Sequence, residues 1–303
     1  MANIPAADGV FAIKRAAELS REWNQKIFAL QLDLSKAFDR VLHSAVVKAL
    51  ELQGCSPQCI AVICSILRQS QASFKLGHVS TNFVSMLRGL PQGAPESPRI
   101  FVLVMELVLR PLLHKWRSRG SGWCLDSLWL AAVCFADDVV IVSSSLVDLC
   151  RMAEEFALTL SEVGLEVGAK KCHWTSYPPL PSQKLPLHGA FLDWEAQINF
   201  VGAVLNFAGN DGLAMELRLV QAEKAFHRWK PYLQCSAVPV AKRVALLETT
   251  CFSSSLWLAE TWLLTKTQRE HLKSWGARLA ARVYSIRRLV GEDVGQFWRR
   301  MHR

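Results

Sequence analysis

The chain is 303 residues long, 51% apolar, and carries a formal net charge of +9. That balance excludes disordered and collagen-like chains and leaves apolar surface for one large domain or two ordinary ones. The first twenty residues lack a signal-peptide core, and no run reaches the ~18 uninterrupted apolar residues of a membrane span. An intracellular protein of the nucleus or cytoplasm, without a membrane partner, is therefore expected. Nine cysteines, mostly inside apolar stretches, read as small reduced core residues, and Cys55, Cys59 and Cys64 are spaced too loosely for a zinc half-site.

The charge is uneven. Residues 216–303 hold 16 Lys and Arg against 7 Asp and Glu, whereas residues 1–215 hold 19 of each, so the C-terminal part carries the whole excess. Such clustering suits a phosphate-backbone partner and, equally, a solvated helical surface.

VFAIKRAAELSREW (10–23) has the spacing of an amphipathic helix. IFALQLDL (27–34) reads as a strand, followed by a helix running to Gly54. Asp33, near the strand's end, is expensive to bury without a cation, while Asp39 is accounted for by the helix dipole. Pro57 to Leu67 predicts a second helix, and SFKLGHVSTNFVSML two short strands around Gly77 and His78. The loop RGLPQGAPE then feeds an apolar helix, Ser97 to Trp116, with Ser97 as its cap and Pro98 in the first turn. Within that loop, Gly89 and Gly93 permit close backbone approach and Gln92 offers both donor and acceptor.

The costliest stretch is LWLAAVCFADDVVIVSSS (128–145), in which Asp137 and Asp138 interrupt an apolar run. It reads as strand, tight turn, strand. Adjacent carboxylates taken out of water are penalised by desolvation and mutual repulsion, which divalent cations relieve; an exposed turn that merely favours Asp is the plain alternative. Leu146 to Val163 is helical by spacing, and LEVGAKKCHWTSY a strand-turn-strand with Lys170 and Lys171 at its bend. SYPPLPSQKLPLHG reads as a surface loop and INFVGAVLNFAG as an apolar hairpin around Gly202. From Leu213 the pattern is helical throughout, which puts a boundary near 210.

Together these blocks resemble a reverse transcriptase of the LINE-like, non-LTR retrotransposon type, over about Asp8 to Leu289. The resemblance implies an α+β fold: a right-hand polymerase palm, an antiparallel sheet flanked by helices, over 27–207, then an all-helical basic thumb over 208–303. Residues 1–26 would be a remnant of the fingers or a connecting helix. LDLSKAFDRV resembles the first palm block, which implies Asp33 and the adjoining Leu34 at the metals and Phe38 as the sugar-selecting gate. LPQGAPESPRIF resembles the block that places Gln92 and Gly93 under the template–substrate pair. CFADD looks like the catalytic turn, with Asp137 and Asp138 as the remaining acids. GLEVGAKKC is similar to the lysine-bearing block, matching Lys171 to the substrate, and INFVGAVL to a primer grip at Val201 and Gly202. WLAETWLLTKTQREHLKSWGARLAARV resembles the thumb.

The implied activity is RNA-directed DNA polymerisation, with two Mg²⁺ ions, or Mn²⁺, serving nucleotidyl transfer to a primer 3′ hydroxyl. The implied partners are an RNA template, a DNA primer and deoxynucleoside triphosphates, and nothing in the sequence points to a protein partner. A nucleic-acid-binding remnant without turnover and a maturase-like RNA-binding protein are the other readings. The sequence departs from the family pattern at Glu96, where an aliphatic residue is common, and at Gly168, where asparagine is usual. Only about thirty residues precede the first block, so the chain reads as an N-terminally truncated copy.

Overall fold

Apart from Gln31, Asp138 and Ser143, IFALQL and DVVIVS carry only apolar side chains, which suits strands covered on both faces. In the computed structural model they lie side by side as the two central strands of a four-stranded antiparallel sheet. The structure describes residues 6–73, 75–209 and 211–284, with 291, 293 and 296. It forms two compact units, Met1–Gly202 and Ala203–Arg303.

The first unit opens with α1 (Ala6–Glu22), which buries Val10, Ile13, Ala16 and Ala17 and is tied down where Trp123 Nε1 donates to Ser20 Oγ at 2.8 Å. Next comes β1 (Ile27–Leu32). The single helix expected to reach Gly54 is instead broken into α2 (Ala37–Arg40) and α3 (His43–Leu52). Tertiary hydrogen bonds compete for the backbone at the break: Gly89 N–H donates to Val41 O, Leu90 N–H to Phe38 O, and Leu42 N–H to Val163 O. α4 (Pro57–Gln69) is capped by Ser56, whose hydroxyl accepts from Cys59 N–H. Two small ribbons follow, β2 (Gln71–Ala72) with β5 (Val84–Ser85) and, between them, β3 (Lys75–Leu76) with β4 (Val79–Ser80) around Gly77 and His78, as expected.

α5 (Ser97–Ser118) buries Ile100, Phe101, Val104, Met105, Val108 and Leu112. Ser97 is not its cap: it is already helical, Glu96 takes the cap position, and Ser97 Oγ donates to Pro91 O at 2.7 Å, folding the loop back onto the helix. The apolar run before the aspartates is divided at Ala131. Its first part, β7 (Leu128–Leu130), pairs with β6 (Trp123–Leu125), and only the second, β8 (Ala132–Phe135), joins β9 (Asp138–Ser143). α6 (Leu146–Glu162), capped by Ser145, covers the sheet with Leu149, Met152, Phe156 and Leu160.

In place of a strand before Lys170 and Lys171 there is one bridge, Leu34 to Val167, and a 3₁₀ turn, Ala169–Lys171. The sheet is completed by β10 (His173–Tyr177), in the order β10-β1-β9-β8. The expected surface loop also contains structure, since β11 (Lys184–Leu187) pairs with β12 (Ala190–Asp193) and buries Leu185 and Leu187. Prolines hid an alternation with the period of a half-buried strand. The unit ends with β13 (Gln197–Phe200).

The second unit holds β14 (Ala203–Asn206), α7 (Gly212–Leu233), α8 (Val240–Leu247), α9 (Ser253–Ser255) and α10 (Lys266–Tyr284). Met215, Leu219, Phe226, Leu247, Trp275, Leu279 and Val283 form its core. The helical pattern expected from Leu213 onward continues beyond Tyr284, and that part, like the basic residues Arg287, Arg288, Arg299, Arg300 and Arg303, lies outside the described residues. All nine cysteines are free thiols. Among the described residues no helix is long and apolar enough to cross a membrane.

Candidate active site

The register of the central strands brings the acids together. Leu32 is opposite Val139, so one step further along the ladder Asp33 leaves the end of β1 beside the start of β9 at Asp138. On the other side Phe135 pairs with Asp138, which leaves Ala136 and Asp137 as the two turn residues. Ala136 sits at φ 53°, where glycine is ordinarily found in such turns, so the tip is strained to present Asp137 outward. Asp137 is exposed and Asp138 partly buried.

The electrostatics reflect this arrangement. The Asp138 carboxyl is pushed above its ordinary value, first by burial and next by the charge of Asp137; a hydrogen bond from Val201 N–H opposes this, and Asp33 adds to the rise. The same charges reach Cys134, whose thiol is pushed up to about 12 by burial, then by Asp137 and Asp138. Asp33 Oδ2 is buried and has no hydrogen-bond partner, and Lys171 Nζ lies 3.6 Å from it. Hard carboxylate oxygens, one of them buried without a hydrogen bond, are the donor type a divalent cation of the Mg²⁺ kind takes, so the residue types fit such an ion. As arranged, no group of three or more His, Cys, Asp or Glu among the described residues stands close enough to hold a metal ion.

Leu34 is held by its bridge to Val167, whose hydrogen bonds run from Ser35 N–H to Glu166 O and from Gly168 N–H to Asp33 O, so the carbonyl of Leu34 takes part in neither. Phe38 is half-buried and stacks on Phe101, centroids 4.7 Å apart. Gln92 and Gly93 form an exposed turn, and Gly93 has φ 86°. Val201 and Gly202, both at positive φ, make the turn after β13.

Three residues make contacts that the sequence reading did not assign to them. Asp39, explained there by the helix dipole, accepts a hydrogen bond from Gln92 Nε2 at 3.0 Å and so ties the loop to the first block. Gly89 lies so close to Asp39 that a Cβ would meet its carbonyl oxygen at 2.8 Å. At Gly168 a Cβ would meet Ser35 Oγ at 2.8 Å and Asp33 Oδ2 at 3.2 Å, so the departure from asparagine gives Asp33 and Lys171 their room. The departure itself was the signal for Gly168, and a glycine in the loop was the signal for close backbone approach at Gly89; its partner, like that of Asp39, lies about fifty residues away along the chain and left no trace in the sequence.

The family model described as reverse transcriptase (RNA-dependent DNA polymerase) matches residues 3–205. The chain belongs to the reverse transcriptase family. The relatives of this reverse transcriptase are proteins of non-LTR elements. A Pol polyprotein from the type-1 retrotransposable element R2 of Nasonia vitripennis is 29% identical over 50% of this chain and 14% of its own. A 149 kDa protein of transposon TX1 from Xenopus laevis is 29% identical over 66% of this chain and 15% of its own. The Pol polyprotein of element R2DM from Drosophila melanogaster is 26% identical over 65% and 18%. The reverse transcriptase chain thus spans less than a fifth of these relatives.

Among solved structures, telomerase of Candida albicans superposes with a TM-score of 0.53 at 12% identity, over 93% of this chain and 53% of that one. Telomerase of Candida tropicalis gives 0.51 at 11%, over 91% and 50%. At these identities the likeness is one of fold, and it bears out the α+β palm with a helical region.

Proposed function

We propose that the chain is the polymerising core of a non-LTR retroelement reverse transcriptase, extending a DNA primer on an RNA template. The observation that carries the proposal is the convergence of Asp33 and Asp138 from two neighbouring antiparallel strands with Asp137 at the adjoining turn, all acting in one electrostatic field. Asp33, Asp137 and Asp138, with the carbonyl of Leu34, would hold two Mg²⁺ ions, or Mn²⁺. Such ions supply activation of the primer 3′ hydroxyl and charge stabilisation at the transferred phosphorus.

The chain's own groups do the placing. Gln92, braced by Asp39, and the bare backbone of Gly93 would lie under the template–substrate pair. Phe38, held by Phe101, would close the space a 2′ hydroxyl needs. Lys171 would face the triphosphate, and the Val201–Gly202 turn the primer end. In this reading residues 27–207 are the palm, 208–303 the thumb that grips duplex phosphates, and α1 a connecting helix. Deoxynucleoside triphosphates are the substrates, in a nuclear or cytoplasmic setting.

Primer extension on an RNA template with Mg²⁺ tests the proposal: the chain should extend, and Asp137→Asn should not. The spacing of the acids, which form no closed cage as arranged, favours a second reading in which the chain binds primer–template without turnover. Duplex binding with no extension at any divalent-ion concentration would select that reading.

A further inference from the structure

We propose that Lys171 is an internal counter-ion of the acidic site, so that its pairing with Asp33 and cation binding at Asp33 exclude each other. This rests on the reading of Asp33 as a metal ligand. Three observations support it. Asp33 Oδ2 is shielded from water and accepts no hydrogen bond, and a buried carboxylate oxygen of that kind requires a compensating charge. The Lys171 ammonium, at 3.6 Å, is the cation paired with that oxygen. The pairing is built into the chain path: Gly168 N–H donates to Asp33 O at 2.8 Å, Lys171 N–H donates to Gly168 O at 2.8 Å, and the 3₁₀ turn between them aims residue 171 back at Asp33. A side chain at 168 would push into Ser35 Oγ and Asp33 Oδ2, so the glycine keeps this approach open.

The pair is also easy to break. The Lys171 side chain is 75% exposed and hangs on a flexible stem, so its ammonium can swing into water at little cost. An ammonium beside the carboxylate lowers the repulsion among Asp33, Asp137 and Asp138, whereas a divalent ion there would meet Lys171 as a like charge. Cation entry therefore releases Lys171 from Asp33 and frees it toward the substrate side, which couples filling of the site to presentation of the lysine.

The test is a titration of Mn²⁺ into the full chain by calorimetry, with Lys171→Met, Lys171→Arg and Asp33→Asn beside the parent. Removing an exposed partner should tighten Mn²⁺ binding about two- to fivefold in Lys171→Met. Lys171→Arg, which keeps the charge, should stay near the parent. A second readout is acylation of the Lys171 amine, followed by mass spectrometry: its rate should rise when Mn²⁺ is added to the parent and stay flat in Asp33→Asn. Mn²⁺ affinity that is unchanged or weaker in Lys171→Met, while Asp33→Asn still weakens it, overturns the counter-ion and leaves the metal site standing. Affinity unmoved by Asp33→Asn overturns both.

Discussion

Asp138 and its neighbours combine stability cost with chemical use at the level of single residues. Its carboxyl is raised by burial and by the charges of Asp137 and Asp33, so the folded state is strained by the same repulsion that would draw cations in. Asp138→Asn should abolish primer extension and yet raise the melting temperature, because it removes one of three like charges; a fall in both would mean the residue is chiefly structural. Ala136 stores strain of a different kind. Glycine in its place should stabilise the chain by about 1 kcal/mol, since a left-handed conformation costs a residue with a Cβ roughly that much. Phe38→Ala should increase ribonucleotide incorporation, measured as the ratio of ribo- to deoxynucleotide extension. Loss of the stacking on Phe101 should also cost about 1–3 kcal/mol, below the ~3–5 of a fully buried ring.

Among elements, α5 and α6 are joined by one carboxylate. Glu155 on α6 accepts from Arg119 Nη1 and Trp116 Nε1, each at 2.8 Å, and lies 2.9 Å from Lys115 Nζ. The Arg119 hydrogen bond, helped by those of Lys115 and Trp116 and opposed by burial, holds its pKa down from an ordinary 4.5 to about 2. A folded-state value below the unfolded one adds stability that is complete above the unfolded value and is lost as the pH falls through the folded one. Melts of the parent and Glu155→Gln should therefore differ most near neutrality and converge as the pH drops from 4.5 toward 2. In the helical unit Arg243 has a comparable role without a carboxylate. Its buried guanidinium donates to Val238 O at 3.0 Å, Val283 O at 2.6 Å and Leu233 O at 3.5 Å, pinning the ends of α7 and α10. Arg243→Met leaves those carbonyls unpaired and should destabilise this unit by about 2–4 kcal/mol in denaturant titration.

For the molecule as a whole the charge division matters most. The palm-like unit is near neutral and carries its acids at the ends of its two central strands, whereas the helical unit holds the excess, with Lys224, Arg228 and Lys230 exposed on α7 and Lys266, Arg269, Lys273 and Arg278 exposed on α10. Primer–template affinity should fall steeply with salt. Replacing Lys224, Arg228 and Lys230 together by glutamine should flatten the log–log slope by about 0.9 for every phosphate no longer neutralised on B-form DNA, and by a comparable amount on a hybrid. An unchanged slope would place the nucleic-acid surface elsewhere.

By itself the sequence determined the family and most of the local elements. Val139 to Val142 read as a buried strand, Asp137 and Asp138 marked the turn before it as either a charged site or an exposed bend, and the order of the blocks carried the family, because each signal lies within a few residues and depends on period and desolvation. Pairings between distant segments were decided by the tertiary structure. The helix expected to reach Gly54 breaks because Gly89 and Leu90 claim the backbone of Val41 and Phe38, Asp39 gains a partner from Gln92, and Leu185 and Leu187 turn a proline-rich loop into a ribbon. Lys171 was legible as a block residue, yet its place against Asp33 follows from the Leu34–Val167 bridge and the bare Cα of Gly168. Such pairings join positions whose separation along the chain leaves no periodic trace, and they form only once burial of the sheet has fixed which backbone groups remain to be satisfied.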